Sequence, residues 1–474
     1  MQNKTEPDFK KSLNLFDSTA IVVGSMIGSG IFIVSADMLK TLGSPGWLLV
    51  AWVLTGILTI FAAVSYGELS GMFPKAGGQY VYLKESYNPL AGFLYGWSFF
   101  AVIQTGTIAA VAVGFAKFAG YFFPVLAWED VNTFFVLGLK IHYAQLVAIV
   151  LIIFLTFINT RGIKTGKIIQ TIFTSTKLLS LFGLIIAGFV VFNWDIWSAN
   201  WENPWVIQNL TKATDGTVNF EPLLSIVALG AIASAMVGSI FSSDAWNNVT
   251  FIAGEIKNPK RNIGLSLFLG TVIVTAIYLL MNVVYLGNVS LNDLAFAKDN
   301  RVALSASEAI FGGSGTIIIA LMIMVSTFGC NNGLILAGAR VYYTMAKDKL
   351  FFKKAGTLNK NAVPAWALWI QCFMASALCL SGRYGDLLDM VSFVVVIFYV
   401  LTIAGIFILR KKQPNAERPY KTFGYPVLPV IYIILGICFC SLLIIFKPQF
   451  TWPGLIIVLL GIPIYYLWKW KAKS

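Results

Sequence analysis

The sequence contains little charge and almost no histidine. Asp, Glu, Lys and Arg make up 12% of its 474 residues, and His142 is the single histidine. Soluble domains carry about 25% charged residues. The low charge therefore excludes a globular enzyme and a disordered tail protein.

Cysteine is also scarce, and its placement excludes two common uses. The five cysteines lie inside apolar segments without the paired spacing of metal ligands: Cys330, Cys372, Cys379, Cys438 and Cys440. We therefore predict no zinc site, no disulfide framework and no cofactor. The apolar segments also lack a paired acid and base, which argues against an intramembrane enzyme.

Apolar residues are abundant instead, at 58% of the chain with a mean hydropathy of +0.78. They form blocks of about 20 residues, the length at which an α-helix crosses a hydrocarbon core of roughly 30 Å. We predict an all-α membrane protein with twelve spans, at 17–37, 46–67, 90–118, 142–159, 168–193, 223–253, 264–287, 313–339, 364–381, 386–409, 427–446 and 452–468.

The net charge of +13 would suggest a nucleic-acid partner in a soluble chain. Here 25 of the 34 Lys and Arg residues lie in the termini and in the loops after the even-numbered spans. The positive-inside rule then places both termini in the cytoplasm. We expect a multi-pass cell-membrane protein with a cytoplasmic tail at 1–16, one membrane domain at 17–470 and no nucleic-acid partner.

Two predicted spans contain interruptions, which are glycine-rich at residues 24–32 in span one and polar at residues 241–248 in span six. Because they stand five spans apart, we predict two five-helix repeats, 17–193 and 223–409, related by inversion in the membrane plane. Residues 427–468 would then add helices eleven and twelve.

A helix broken in the membrane frees backbone N–H and C=O groups, which cost several kcal/mol unless a partner binds them. A zwitterion supplies both partners, because N–H groups at a helix start favour a carboxylate and carbonyls at a helix end favour an ammonium. Close helix packing is an alternative explanation for Gly24, Gly28 and Gly30.

Two ionisable side chains are predicted well inside spans, Lys177 in span five and Asp244 in the span-six interruption. Such charges are costly and usually functional. Lys177 is interpreted as a fixed cation replacing a sodium ion, as a proton carrier, or as a structural tether to span-one carbonyls. Asp244 either attracts a cationic group of a substrate or caps the helix that resumes at Trp246.

Other polar and aromatic residues near the interruptions are candidates for lining a pocket. Phe241 could cover a ligand or be an ordinary core residue. Ser29, Asn247 and Asn332 have the size and hydrogen-bonding groups of pocket residues, although Asn332 could instead bond between helices.

These features occur together in an order that resembles the amino acid-polyamine-organocation superfamily, and within it the L-type amino acid transporter family. The resemblance rests on segments that extend through most of the chain: 28–32, 73–78 with Tyr80 and Tyr82, 170–177, 246–247 followed by Glu255, 258–259, 261–262, Tyr278 with Asn282, 328–333, 339–341, 407–410 and 418–420.

The resemblance implies a twelve-helix transporter of the LeuT-like fold, with discontinuous helices one and six and the substrate between them. By similarity, the N–H groups of Ser29 and Gly30 would hold the substrate carboxylate. Carbonyls of Met26, Phe241 and Asp244 would hold its ammonium. Phe241 matches a gating aromatic, Lys177 the lysine that stands in for sodium, and Tyr278 a tyrosine linked to closing the inner gate; Asn247 and Asn332 match side-chain pocket positions. The Ser242-Ser243 pair departs from the family's usual Ala-Tyr. We expect side-chain selection to come from Phe241, Ser243, Asp244, Asn247 and Asn332.

The resemblance also implies sodium-independent transport, usually by exchange. We expect an L-amino acid exchanger for small or polar neutral substrates, with a proton-coupled symporter as the alternative and a channel or a transporter-like nutrient sensor as weaker ones. Light chains of heteromeric exchangers carry a cysteine in the loop after span three, and residues 120–141 contain none. No disulfide-linked heavy chain is therefore expected.

Overall fold

The computed structural model describes residues 11–136, 139–381 and 384–471, with the backbone alone at 163–172. Residues 1–10 of the predicted tail, and the side chains at 170–172 of one segment that carries the resemblance, lie outside this description. The helices of the first half are α1 Leu15–Met26, α2 Val34–Leu42, α3 Pro45–Met72, α4 Gln79–Ser86, α5 Pro89–Ser98, α6 Gln104–Phe122, α7 Tyr143–Thr160, α8 Ile163–Val190 and α9 Trp194–Asn200.

The second half continues the same all-helical pattern. Its helices are α10 Ser225–Ser242, α11 Asn248–Phe251, α12 Pro259–Asn288, α13 Leu291–Ala295, α14 Val302–Lys347, α15 Ala365–Ser381, α16 Tyr384–Lys412, α17 Val427–Phe446 and α18 Pro448–Lys471. Two antiparallel hairpins precede these helices in the chain, β1 Thr133–Val136 with β2 Leu139–His142 between α6 and α7, and β3 Gln208–Lys212 with β4 Val218–Pro222 between α9 and α10. The hairpins lie in segments predicted as loops.

Ten helices within the described ranges are long and apolar enough to cross a membrane, counting α5 and α6 as one. Two shorter apolar helices, α1 and α15, coincide with predicted spans one and nine. The all-α membrane class is therefore confirmed. The count of twelve spans and the inverted repeat stay predictions.

Several helices begin at residues suited to capping. Asn14 accepts a hydrogen bond from the backbone N–H of Asp17 at 2.9 Å, and the Asp17 carboxylate accepts one in return, which forms a capping box for α1. Ser44 and Asn88 cap α3 and α5, each just before a proline at the first helical position. Local sequence thus sets where these helices start.

Both predicted interruptions are present in the structure. The helix α1 ends at Met26, and the chain passes through a 3-10 turn at Gly30–Phe32 before α2 begins. The helix α10 ends at Ser242, and the short helix α11 follows a five-residue gap. Each predicted span therefore consists of two helical segments. The backbone groups of the residues between them lie outside the hydrogen-bonding pattern of a helix.

The two half-helix pairs lie against a tightly packed scaffold. The helices α3 and α12 approach closely, since a Cβ added at Gly264 would lie 3.4 Å from the Cα of Gly67. A Cβ at Gly270 would lie 2.4 Å from a Val22 methyl group, which brings α12 equally close to α1. Small residues allow this approach where lipid gives no hydrophobic drive between helices.

Two helices run further than their predicted spans. The helix α6 continues to Phe122, past the predicted end at 118, so Lys117 lies more than one turn before the end of the helix. The helix α14 begins at Val302 and is bent at Gly312, whose φ of 70° suits glycine. Hydropathy marks the apolar centre of a helix, whereas hydrogen bonding continues into its polar ends.

Candidate functional site

The first interruption presents unbonded backbone donors. Within the described ranges, no group accepts a hydrogen bond from the backbone N–H of Gly28, Ser29 or Gly30. All three residues are buried. Buried N–H groups without acceptors are rare, so this segment is arranged to bind an acceptor that the protein itself does not provide.

Glycine is required at one of these positions by the second interruption. A Cβ at Gly30 would lie 2.0 Å from the Ser242 Oγ and 3.0 Å from its Cα. The two broken helices therefore touch at this point, with no room for a side chain between them. The glycines were explained either by close packing or by freed backbone groups. Close packing holds for Gly30, whose backbone N–H group is also without an acceptor in the described ranges.

Lys177 on α8 binds the other end of the first interruption. Its fully buried Nζ donates to the carbonyl oxygens of Gly24 at 2.7 Å and Ile27 at 2.8 Å. These carbonyls lie at the C-terminal end of α1, where the helix dipole favours a cation. The geometry matches the predicted tether, and it puts an ammonium where carbonyls would otherwise need another cation.

The second interruption depends on side chains rather than glycines. The Tyr399 hydroxyl on α16 donates to the Asp244 carboxylate at 2.5 Å, and Asp244 is only 9% exposed. Within the described ranges, no Lys or Arg pairs with Asp244. Ala245 has a φ of 62°, a strained conformation for a residue with a Cβ.

The hydroxyl of Tyr278 on α12 links the two interruptions. It lies 3.0 Å from the carbonyl oxygen of Met26 and 2.9 Å from that of Ser242, the last residues of α1 and α10. One hydroxyl proton serves both acceptors. The Phe241 carbonyl accepts the backbone N–H of Asp244 at 3.2 Å. Two of the three carbonyls predicted to hold an ammonium thus have partners inside the protein.

The interruptions enclose a cavity of about 10 Å³, lined by Met26, Ser29, Gly30, Phe241 and Asp244 among others. That volume holds about one water molecule. Two neighbouring cavities, of about 10 and 30 Å³, also reach Asp244. Asp244 is therefore the charged residue that lines all three cavities, at a buried position near the centre of the fold.

Phe241 and Tyr384 cover the cavity. Their rings meet edge to face with centroids 6.2 Å apart. The Tyr384 hydroxyl and the Ser29 Oγ are hydrogen bonded at 3.0 Å. A ligand of amino acid size therefore needs this cover to move.

A sequence profile of the amino acid permease family matches residues 13–465, nearly the whole chain. The chain belongs to the amino acid permease family. The human large neutral amino acids transporter small subunit 2 is 30% identical, over 98% of this chain and 82% of its own length. The serine/threonine exchanger SteT of Bacillus subtilis strain 168 is 29% identical, over 98% of both chains. The human b(0,+)-type amino acid transporter 1 is 28% identical, over 98% of this chain and 89% of its own.

These relatives confirm the resemblance to L-type amino acid transporters of the amino acid-polyamine-organocation superfamily. They also confirm that this permease is a membrane transporter and not an enzyme. Within the described ranges, no three His, Cys, Asp or Glu side chains cluster as metal ligands would.

Three residues predicted to select the substrate side chain lie outside the central cavity of the permease. The Asn332 side-chain Oδ1 accepts a hydrogen bond from the Asn159 Nδ2 at 2.8 Å, which links α14 to α7. Asn247 lines one neighbouring cavity and Ser243 the other. The Asn247 Nδ2 donates to the Gln79 Oε1 at 3.1 Å. Asn332 thus makes the interhelical bond that the sequence left as its alternative.

Sequence reasoning did not identify several residues that contact the site. Tyr384 and Tyr399 reach it from α16, and Gln79 from α4. The chain contains 18 Tyr residues. A tyrosine inside a predicted span therefore does not by itself indicate a functional site. Gln79 follows the glycine pair 77–78, which the resemblance included without assigning it a role.

On the side of α11, the permease has a cavity of about 220 Å³ that extends to Ser25 on α1 and is lined in part by a buried ion pair. Arg340 on α14 pairs with Glu255 at 3.2 Å, and both side chains are buried. The Glu255 carbonyl accepts the backbone N–H groups of Ser12 and Leu13 at 2.9 and 3.1 Å. The chain preceding α1 is thereby attached to the segment that follows α11, which holds the ends of both broken helices together.

Proposed function

We propose that this permease is a sodium-independent exchanger of L-amino acids that works by alternating access. The observation that carries the proposal is the pairing of unbonded N–H groups at 28–30 with carbonyl ends of α1 and α10 across one cavity. A carboxylate and an ammonium on one carbon satisfy such a pair. Amino acid transport itself follows from the family.

In this proposal, the Ser29 and Gly30 N–H groups bind the substrate carboxylate. Carbonyls of Met26, Phe241 and Asp244 bind the ammonium. The Tyr278 hydroxyl then occupies the Met26 carbonyl in the empty state and leaves it when an ammonium arrives. This exchange of donors gives Tyr278 a physical role in gating, since the same hydroxyl also holds the end of α10.

Sodium independence is supported by the Lys177 ammonium. It already bonds the two carbonyls at the end of α1, at a fully buried position. A cation that is part of the chain leaves no vacant carbonyl pair there for a sodium ion.

Side-chain selection is assigned to Phe241, Ser243, Asp244 and Asn247, with a weaker, indirect contribution from Asn332 through Asn159. Polar groups around Asp244 favour small or polar neutral substrates. The serine/threonine exchange named for the Bacillus relative is the same class.

The proposed architecture has twelve spans with α1 and α15 among them, an inverted repeat of 17–193 and 223–409, two added helices, and both termini in the cytoplasm of a cell membrane. The partners are an L-amino acid and the lipid bilayer. No disulfide-linked heavy chain is proposed, because 120–141 lacks cysteine and the five cysteines are free.

A proton-coupled symporter is the second candidate, and Asp244 favours it. Its carboxylate lies at the junction of three cavities with a tyrosine hydroxyl as its hydrogen-bond donor. A buried carboxylate without a cationic partner readily takes up a proton.

The deciding experiment is uptake of radiolabelled amino acids into proteoliposomes without sodium, with and without unlabelled amino acids inside. Exchange predicts uptake only when the vesicles contain substrate. Uptake into empty vesicles that follows an imposed pH gradient would establish symport. Flux without saturation or trans-stimulation would indicate a channel. Phe241→Ala should change the kinetics, and unchanged kinetics would remove Phe241 from the gate.

A further inference from the structure

One face of α6 extends from the central cavity toward the loop that follows it. Val111 lines the cavity. One turn further, a Cβ at Gly114 would lie 2.5 Å from the Ser29 Cβ and 3.6 Å from the Tyr384 Cε2. Lys117 is one turn further again, about 4.5 Å along the axis. Its Nζ lies 5.3 Å from the centroid of the Tyr384 ring.

Tyr384 therefore separates Lys117 from the substrate groups. Its ring has the Lys117 ammonium over it and the Phe241 ring at its edge, while its hydroxyl bonds to Ser29. A cation over a tyrosine ring is a favourable contact. The ammonium thus helps to hold the aromatic cover closed.

The acidic groups near Lys117 are already bound to other partners. Asp37 and Asp299 are the carboxylates that act on it electrostatically. Asp37 accepts from Lys40 at 3.3 Å and from the Asn300 Nδ2 at 2.8 Å.

Asp299 pairs with Arg301 at 3.1 Å. Within the described ranges, no carboxylate oxygen lies within 4.0 Å of the Lys117 Nζ. A half-buried ammonium that lies over a ring face and has no carboxylate oxygen within 4.0 Å keeps most of its capacity to attract an anion.

We propose that Lys117 is a first contact for the carboxylate of an amino acid entering from the side of the α6 C-terminus. The carboxylate draws the ammonium off the Tyr384 ring, which removes one of the contacts holding the cover. The carboxylate then passes to the N–H groups of Ser29 and Gly30. Lys117 is thus a recruiting and positioning residue, and this inference rests on the proposed exchange function.

The inference predicts an effect on one side of the membrane only. Lys117 and Arg301 lie on the outer side in the proposed orientation, whereas the inner path passes Glu255 and Arg340. Removing a charge at the rim of a binding path changes the association rate more than the final bound state. A merely structural role for Lys117 would alter transport from both sides alike.

The test compares Lys117→Met with Lys117→Arg in right-side-out and inside-out membrane vesicles. The probe is whichever radiolabelled L-amino acid the unmodified protein exchanges fastest among the twenty. Lys117→Met should raise the external KM about fivefold or more and leave the internal KM within about twofold. Lys117→Arg should keep both values within about twofold of the unmodified protein. The matched control is Lys140→Met, which removes an exposed outer lysine paired with Asp130.

Equal changes of KM on both sides, an unchanged external KM in Lys117→Met, or an external KM in Lys140→Met that rises as much, would each overturn the role of Lys117. If the unmodified protein exchanges none of the twenty amino acids, the proposed function fails and this inference falls with it. Failure of Lys117 alone leaves the exchange by the unmodified protein intact, so the two failures are distinguishable.

Discussion

The two interrupted helices meet at one cavity, but different kinds of group from each line it. The first interruption, at 24–32, is rich in glycine and serine and presents backbone groups, and a lysine from α8 binds the carbonyls at its start. The second, at 241–248, presents side chains, and a tyrosine from α16 fixes its carboxylate. Backbone groups recognise what all amino acids share, whereas side chains can distinguish one from another. The first interruption should therefore govern transport itself, and the second its selectivity.

The largest effect is expected at the anchor of the first interruption. Lys177→Met leaves the Gly24 and Ile27 carbonyls unbonded, at a cost of about 1 to 3 kcal/mol for each buried group. Exchange of every substrate should fall about a hundredfold in proteoliposomes. Lys140→Met is the control, and exchange within twofold of the unmodified protein would contradict the assignment.

The contact between the interruptions should be nearly as sensitive. Gly30→Ala drives a methyl group into Ser242, and overpacking of this kind costs about 1 to 3 kcal/mol. We expect exchange to fall at least about tenfold. Adding Ser242→Gly removes the nearest atoms and should restore part of the rate. If the double variant were no better than Gly30→Ala, the loss would have another cause.

A smaller and qualitatively different effect is expected at the second interruption. Asp244→Asn removes the charge but keeps an acceptor for Tyr399. The relative kcat/KM values for different amino acids should change about tenfold, with maximal exchange of the preferred one within about threefold. Tyr399→Phe, which leaves the carboxylate in place, should change selectivity less. Uniform loss for all amino acids, measured by competition against one labelled substrate, would remove the contrast between the interruptions.

The smallest effect on transport is expected at Asn332. Asn332→Ala deprives the Asn159 amide of one of its two acceptors, leaving the Leu155 carbonyl, and should lower the unfolding free energy by about 1 to 2 kcal/mol. Its KM should stay within about twofold. Asn247→Ala, beside Asp244, should raise KM more. Thermal unfolding in detergent measures the loss of stability, and uptake assays measure KM. A larger KM change in Asn332→Ala than in Asn247→Ala would show that Asn332 contributes to substrate binding.

Much of this arrangement could be predicted from local sequence. A run of glycines and serines identified the first interruption and a run of polar residues the second, because such residues end helices wherever they cluster in an apolar span. The isolated charges of Lys177 and Asp244 could also be identified from the sequence, because charged residues are rare in apolar spans. The predicted tether of Lys177 to span-one carbonyls matches the geometry.

Other parts of the site could not be read from the sequence. Tyr384 and Tyr399 are two aromatic residues among many, and only their contacts with Ser29 and Asp244 distinguish them. Lys117 lies one residue before the end of predicted span three at 118, where a charge is ordinary, whereas the helix continues to Phe122. Asn332 and Asn247 are both asparagines in predicted spans, so the sequence does not distinguish them. In the structure, Asn332 is hydrogen bonded to Asn159 on α7.

The sequence by itself determined the membrane class, the family, and the two places where helices break, because each depends on residue type over a short stretch. Tertiary structure alone decided which groups face one another: Lys177 to the carbonyls of α1, Tyr399 to Asp244, and Lys117 to the ring face of Tyr384. These pairs lie 150 or more residues apart in the chain. Hydrophobic periodicity sets how a helix is oriented but carries no information on which distant side chain it will meet.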